Sequence, residues 1–251
     1  MTEPPENSFT PDSNLVAAVA PSPNHDERQR GIDMIILHYT GMETAQAAFD
    51  RLRDPQARVS SHYMIYEDGR IVQLVPEARR AWHAGISSWM GQDDMNSCSI
   101  GIEIVNPGHD FGYPDFPKVQ IIGVIALCHD IIARHKIPAA RILAHSDVAP
   151  SRKQDPGEKF PWDTLADAGV GIWLEPTEFV AGPELDPGDR GEVITKLQAS
   201  LAEFGYGVGL TGEYDQATSD AVMAFQRHYR PSRVDGFADH STMETLKRLL
   251  A

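Results

Sequence analysis

Two short apolar runs, each followed by a histidine, place the strongest limit on how this chain can fold. Residues 32–37 read Ile-Asp-Met-Ile-Ile-Leu before His38, and residues 140–144 read Ala-Arg-Ile-Leu-Ala before His145. Short apolar runs rich in β-branched residues are typical of buried strands, and Gly41 ends the first run. The pattern therefore predicts two core strands, each with a histidine at its end, where α/β proteins place their chemistry.

A third metal-binding residue follows the second histidine. The segment His145-Ser-Asp-Val-Ala-Pro-Ser-Arg-Lys-Gln-Asp155-Pro-Gly is too rich in Pro and Gly for a helix, so we expect a loop. Zinc accepts both His nitrogen and Asp oxygen, and a fourth position left to water distinguishes a catalytic zinc. Either histidine alone can be an ordinary core histidine. Together, His38, His145 and Asp155 favour a metal site.

Two further residues are candidates for the chemistry. Glu103 interrupts the apolar stretch 99–105, and a carboxylate on a buried strand is costly unless something pairs with it. A general base facing a metal-bound water would compensate for that cost. The alternative is a glutamate on a solvated edge strand. Lys153 can place its ammonium where an oxyanion develops during attack on an amide, but a lysine in a loop can also be simply solvated.

With these residues the chain resembles the type 2 zinc-dependent N-acetylmuramoyl-L-alanine amidases (AmpD/AmiD-like) over about residues 22–165. Five stretches carry the resemblance in the family's order: Ile36-Leu-His-Tyr-Thr40, Val59-Ser-Ser-His-Tyr-Met-Ile65, Ala81-Trp-His-Ala-Gly85, Asn96-Ser-Cys-Ser-Ile-Gly-Ile-Glu103 and the loop from His145 to Gly157. The resemblance implies that one Zn²⁺ per chain is bound by His38, His145 and Asp155. It also implies that Glu103 and Lys153 act in catalysis.

The resemblance also points to a substrate groove near the third and fourth stretches. The substrate-binding residues implied there are Trp82, His83, Ala84 and Asn96. Asn96 is expected to hydrogen-bond the stem peptide, His83 to orient a ligand or contact the transition state, and Trp82 can equally be a core residue. His109, His129 and His135 show no partner spacing and are interpreted as structural.

Composition excludes several classes of partner. The net charge of −14, from 36 acidic and 22 basic residues, argues against nucleic acid, whose phosphates favour clustered Lys and Arg. No apolar run approaches the length of a membrane span. Cys98 and Cys128 are expected to be reduced, buried thiols. Without a signal peptide the expected location is cytoplasmic, or the periplasm and envelope if the start is misplaced. The sequence leaves the oligomeric state open.

The expected fold class is α/β: a mixed central sheet flanked by helices, plus a small C-terminal three-helix bundle. Strands are predicted at 32–38, 62–67, 70–75, 99–105 and 141–145, and helices at 43–53 and 118–136. Glu67-Asp-Gly69 is predicted to form a hairpin turn, and the second helix to cover one face of the sheet.

The predicted domains are a loosely ordered lead-in over residues 1–20, a zinc amidase domain over 21–174, a linker over 175–189 and a helical domain over 190–251. The linker carries three Pro and two Gly without periodicity. Beyond it, three amphipathic stripes predict a three-helix bundle. This bundle resembles the peptidoglycan-binding three-helix domain, which implies a tethering role.

The function predicted from these observations is zinc-dependent hydrolysis of the amide between N-acetylmuramic acid and L-alanine, with peptidoglycan or anhydro-muropeptides as partners. Two alternatives stay open. One is a non-catalytic peptidoglycan-recognition protein, although such relatives lose a zinc ligand and this chain has all three. The other is a zinc peptidase that cuts within the stem peptide.

Overall fold

The structure, a computed structural model, describes residues 9–251. Its strands are β1 Val16–Val19, β2 His25–Glu27, β3 Met34–Tyr39, β4 Tyr63–Ile65, β5 Ile71–Gln73, β6 Arg79–Ala81, β7 Ser88–Trp89, β8 Gln92–Asp93, β9 Ser99–Ile104 and β10 Ile142–Ala144. Its α-helices are α1 Ala45–Arg53, α2 Lys118–His135, α3 His145–Val148, α4 Trp162–Asp167, α5 Glu192–Phe204, α6 Gln216–Tyr229 and α7 His240–Leu250.

A mixed six-stranded sheet of order β1-β5-β4-β9-β3-β10 forms the centre of the molecule. The neighbours β4, β9, β3 and β10 are all parallel, and β5 is antiparallel to β4. Parallel strands are normally buried on both faces, which agrees with their continuous apolar runs. The predicted fold class, a mixed sheet flanked by helices with a C-terminal bundle, is confirmed.

One face of the sheet packs against α2. The alternate residues Ile35 and Leu37 of β3 and Ile102 of β9 belong to a core cluster with Val124 and Leu127 of that helix. All six residues of β9 are buried, so Glu103 lies on a central strand. The solvated edge strand considered for this glutamate is therefore excluded.

The opposite face is covered by two different parts of the chain. Near β4 and β5 it packs against α1 and its neighbours. Near β3 and β10 it packs against the C-terminal helices in a second apolar cluster. The buried members of this cluster include Met34, Ile36, Leu143, Val148, Trp89, Ile194, Leu197, Tyr206, Phe225 and Tyr229. One continuous core thus joins the sheet to the C-terminal bundle, and such apolar burial stabilises at roughly 25 cal/mol per Å².

The N-terminal segment differs from its prediction. Residues 1–8 lie outside the described residues, but Val16–Val19 forms β1, which pairs in parallel with β5 at the sheet edge. The side chain of Gln73 also bonds to the backbone and side chain of Asp12. The expectation of a loose lead-in up to residue 20 is wrong for this part, because backbone pairing at an edge needs no strong apolar pattern.

The segment predicted as a linker lies along the bundle. Leu185 forms an isolated antiparallel bridge with Ala238, and the backbone of Thr177 bonds to the side chains of Thr245 and Ser241. Among residues 9–251 no helix combines the length and apolarity needed to cross a membrane. Cys98 and Cys128 are free and buried, as expected.

A buried carboxylate connects α2 to the sheet. Glu77 accepts hydrogen bonds from the Tyr63 hydroxyl at 2.7 Å, from Arg134 at 2.5 Å and from His135 at 2.7 Å. Burial alone would raise the pKa of Glu77, but the hydrogen bonds from Arg134, His135 and Tyr63 outweigh it and lower the pKa. The carboxylate therefore stabilises the fold above its unfolded pKa, and this contribution is lost as the pH falls through the folded pKa.

We predict that Glu77→Gln lowers the free energy of unfolding by about 1.5–3 kcal/mol at pH 7, the usual size of hydrogen bonds to charged groups. The deficit should shrink as the pH is lowered from 7 towards 3, because the native carboxylate becomes protonated as the pH falls through its lowered pKa. Urea unfolding at both pH values, with a chelator present, measures this. Glu67→Gln, at an exposed turn position, is the matched control. An equal deficit at both pH values would contradict the assignment.

Candidate metal centre

Strand register brings the predicted residues together. In the parallel pair of β3 and β9, His38 lies opposite Glu103. In the parallel pair of β3 and β10, Ala144 lies opposite Leu37, so His145 follows directly beside His38. All three side chains therefore lie where neighbouring parallel strands end, the position at which open α/β sheets bind ligands.

The loop after α3 returns Asp155 to the two histidines. Its backbone carbonyl accepts a hydrogen bond from the Ser146 amide at 3.0 Å. Asp155 Oδ2 lies 3.1 Å from His38 Nδ1 and 3.0 Å from His145 Nδ1, and the two Nδ1 atoms lie 2.9 Å apart. Three potential ligand atoms thus point at one place, and all three residues are buried.

The hydrogen bond that His145 makes to the backbone determines which of its ring nitrogens carries no proton. Nε2 lies 3.1 Å from the carbonyl oxygen of Ala84, which can only accept, so Nε2 carries the proton. In a neutral imidazole, Nδ1 then presents a lone pair. His145 therefore directs an acceptor, not a donor, at Asp155 and His38.

A longer chain of hydrogen bonds shows that His38 has the same tautomer, with the proton on Nε2. The Ser99 hydroxyl donates to the carbonyl of Met95 at 2.5 Å, so its oxygen accepts from His83 Nε2 at 3.2 Å. His83 Nδ1 is then bare and accepts from His38 Nε2 at 3.1 Å. His38 Nδ1 is left with a lone pair, as in the backing hydrogen bonds that orient metal-bound histidines.

A glycine makes room for this chain of bonds. A Cβ atom on Gly101 of β9 would lie 2.4 Å from Cγ of His83, which is closer than real contacts allow. The imidazole of His83 therefore packs directly on the strand backbone, between Ser99 and His38. His83 was predicted to orient a ligand or to contact the transition state, and the structure places it directly behind His38.

Three acceptor atoms without a proton between them repel one another unless a cation joins them. Burial, followed by the neighbouring His145, lowers the pKa of His38 to about 4, so the ring is neutral at pH 7. Two imidazole nitrogens and a carboxylate oxygen form a donor set that suits zinc.

Glu103 is isolated beside this donor set. It is only 9% exposed, and its Oε2 atom has no hydrogen-bond partner within residues 9–251. Burial and the charge of Asp155 raise the pKa of Glu103 to about 8, against the opposing effect of Lys153. A bound cation would favour the carboxylate form. The free oxygen suits a group that holds a water or a transferred proton.

The three candidate metal ligands line one cavity of about 360 Å³ together with Glu103 and Lys153. The ammonium of Lys153 makes no ion pair within the described part of the chain, and its backbone amide is held by Ala149. Arg51, Arg152 and Lys153 give the cavity positive side chains in a chain whose net charge is −14. The Arg152 guanidinium donates to the Ala84 carbonyl at 3.0 Å and so also supports the wall behind His145.

The other predicted substrate-binding residues lie behind the cavity. Asn96 is buried, and its side-chain oxygen accepts from the backbone amides of His83 at 3.0 Å and Ala84 at 2.7 Å. It therefore shapes the turn whose Ala84 carbonyl fixes the tautomer of His145. Trp82 is half-buried and does not line the cavity. Direct substrate contact by Trp82, Ala84 and Asn96 stays a prediction.

Tyr39 and His109 are among the cavity residues that the sequence analysis did not assign to the site. Tyr39 and His109 both line the cavity; the Tyr39 hydroxyl lies 3.0 Å from His109 Nδ1, and His109 Nε2 lies 3.1 Å from Glu158. His109 begins a short 3₁₀ helix, His109–Phe111, whose sequence has no periodicity. Its interpretation as a structural residue stays a prediction. The only sequence feature that placed Tyr39 near the site was its position directly after His38.

The fold and the site define the class: a two-unit α/β protein with a buried, metal-competent donor set and a free carboxyl in one cavity. Residues 28–158 match the family described as N-acetylmuramoyl-L-alanine amidase. The chain belongs to this family. Residues 190–246 match the family described as peptidoglycan binding domain, so the chain carries such a domain at its C-terminal side.

Relatives with both units have similar sequences and structures. The N-acetylmuramoyl-L-alanine amidase AmiD of Escherichia coli is 38% identical over 236 residues, covering 87% of this chain and 82% of that protein. Its structure with the substrate anhydro-N-acetylmuramic acid-L-Ala-D-gamma-Glu-L-Lys matches with a TM-score of 0.75 at 36% identity, over 92% of this chain and 90% of that one. AMPDH3 from Pseudomonas aeruginosa matches with a TM-score of 0.72 at 28% identity, over 99% and 98% of the two chains.

We predict that His38 and His83 are both protonated on Nε2, because Ser99 and Met95 fix the direction of the chain of bonds. Long-range ¹H–¹⁵N correlation spectra of the imidazoles measure this directly. His83→Phe keeps a ring at this position but removes the acceptor for His38 Nε2, so His38 should lose its single tautomer. A proton on His38 Nδ1 in the metal-free native protein would refute the deduced order.

Proposed function

We propose that His38, His145 and Asp155 bind one zinc ion, and that Glu103 and Lys153 use it to hydrolyse the amide between N-acetylmuramic acid and L-alanine. The observation that carries the proposal is the meeting of two bare Nδ1 atoms and one carboxylate oxygen within 3.1 Å of one another. Only a cation satisfies three acceptors at that spacing. Three protein ligands would leave a zinc ion one further position for water, as in catalytic rather than structural sites.

Zinc at this site would act as a Lewis acid, lowering the pKa of water and polarising the substrate carbonyl. Glu103, with its unpartnered oxygen, takes the proton of the attacking water and passes it to the leaving amine of L-alanine. The ammonium of Lys153 stabilises the oxyanion that develops on the carbonyl. The amide bond breaks, and the products are a free carboxylic acid on the lactyl group and a free stem peptide.

The cavity suits an anionic, partly peptidic substrate. Arg51 and Lys153 offer positive charges to the carboxylates of a stem peptide. The related AmiD binds an anhydro-muropeptide as substrate, which supports this class of ligand. We propose muropeptides as substrates and peptidoglycan as a second partner, met through the C-terminal domain. The domain bounds of 21–174 and 190–251 belong to this proposal.

We predict that Glu103→Gln keeps zinc binding but lowers the turnover number by about a hundredfold or more, the usual size of an acid–base contribution. The glutamine side chain has the same shape but cannot accept the proton of water. Metal content by atomic emission, alongside hydrolysis rates, separates the two effects. Full activity in this variant would remove Glu103 from the mechanism.

Product analysis tests the reaction itself. The zinc-loaded protein is incubated with a soluble anhydro-muropeptide and, separately, with purified sacculi, and the products are identified by mass spectrometry. Free stem peptide with an intact sugar is the expected result, with Glu103→Gln as the inactive control. Cleavage of the soluble substrate alone supports a recycling role, and release from sacculi supports a wall-acting one. Cleavage within the stem peptide, or none with zinc bound, would contradict the proposal.

A further inference from the structure

A second buried carboxylate lies two residues beyond His145. Asp147 is completely buried, and its carboxylate has three hydrogen-bonding partners. Oδ2 accepts from the backbone amide of Ala144 at 2.8 Å and lies 2.7 Å from His228 Nδ1, while Oδ1 accepts from the Tyr206 hydroxyl at 2.8 Å. Such a charge is tolerated in a core only when hydrogen bonds satisfy it.

Two of these partners belong to the C-terminal domain. Tyr206 follows the end of α5, and His228 lies near the end of α6. The ring of His228 is stacked between Trp162, at a centroid distance of 3.7 Å, and Tyr229, at 3.8 Å. Its position is therefore fixed by residues of both domains, and the Asp147 carboxylate is shared across the domain interface.

The third partner connects Asp147 to the metal centre. By accepting from the Ala144 amide, the carboxylate closes the first turn of α3, which begins at His145. The same turn offers the Ser146 amide to the Asp155 carbonyl. The backbone of two potential zinc ligands is thus set by a turn that Asp147 closes.

The apolar contacts around this network fit closely. Trp89 packs edge-on against Tyr206, with ring centroids 5.1 Å apart. A Cβ atom on Gly205 would lie 2.5 Å from the indole of Trp89, and the Met90 amide donates to the Gly205 carbonyl at 2.8 Å. An interface this close does not suit a domain that moves freely on a linker.

We propose that the C-terminal domain is a positioning part of the metal centre, acting through Tyr206 and His228 on Asp147 and through Asp147 on His145. This inference rests on the proposed zinc site. The domain then has a role within the active site besides any contact with the cell wall. Loss of its hydrogen bonds to Asp147 loosens the turn and weakens zinc binding, as the loss of outer-shell partners generally does.

The test compares two buried tyrosines of the same domain. Tyr206→Phe removes the hydrogen bond to Asp147, whereas Tyr214→Phe removes a bond of 2.7 Å to the Gly236 carbonyl, inside the domain. Zinc affinity is measured by competition with a chromophoric chelator on the full-length variants, and unfolding is measured on the zinc-free proteins. We expect about tenfold weaker zinc binding for Tyr206→Phe, at the lower end of outer-shell effects, and native affinity for Tyr214→Phe.

The outcomes separate the two proposals. Zinc binding by the native protein with equal affinity in both variants overturns the positioning role and leaves the zinc site intact. Equal weakening in both variants, in proportion to lost stability, reduces the effect to general destabilisation and also overturns it. Failure of the native protein to bind zinc overturns the proposed function, and with it this inference.

Discussion

Repulsion among three lone pairs is the constraint on which the site depends. Two imidazole Nδ1 atoms and a carboxylate oxygen lie within 3.1 Å of one another, and the hydrogen bonds behind each ring leave no proton to place between them. Without a cation this arrangement is unfavourable in a buried setting. The fold holds it through Ala84, His83 and Ser99, whose bonds determine the ring tautomers. Binding of a metal ion at this site would therefore be coupled to folding.

The sheet explains why these groups meet. Parallel pairing of β3 with β9 and β10 brings His38, Glu103 and His145 to one edge, and the return of the loop adds Lys153 and Asp155. The C-terminal helices cover the face of β3 and β10 that carries Met34, Ile36 and Leu143. Removing those helices would expose Met34, Ile36 and Leu143 and leave Asp147 without two of its partners. The catalytic and C-terminal domains therefore act as one folded body at this interface.

Much of this organisation could be predicted from the sequence, for a physical reason. Buried parallel strands have continuous apolar runs, so β3, β9 and β10 were evident, and a histidine or glutamate stands out against such a run. The edge strand β1 was missed because its pairing relies on backbone bonds, and its pattern is largely exposed. The position of His109 at the cavity could not be predicted because it lies in a short 3₁₀ helix without a periodic sequence pattern. The apolar stripes of the C-terminal helices predicted a bundle but not its packing against the sheet, because an amphipathic pattern does not show which surface a helix packs against.

Anomalous diffraction at the zinc absorption edge tests the central claim most directly. Crystals of the zinc-loaded protein should show one peak per chain, bonded to His38 Nδ1, His145 Nδ1 and Asp155 Oδ2 at about 2.0–2.2 Å. The fourth position should open towards Glu103 and Lys153. A peak bonded through Nε2 of either histidine, or a site elsewhere with none at this edge of the sheet, would contradict the account.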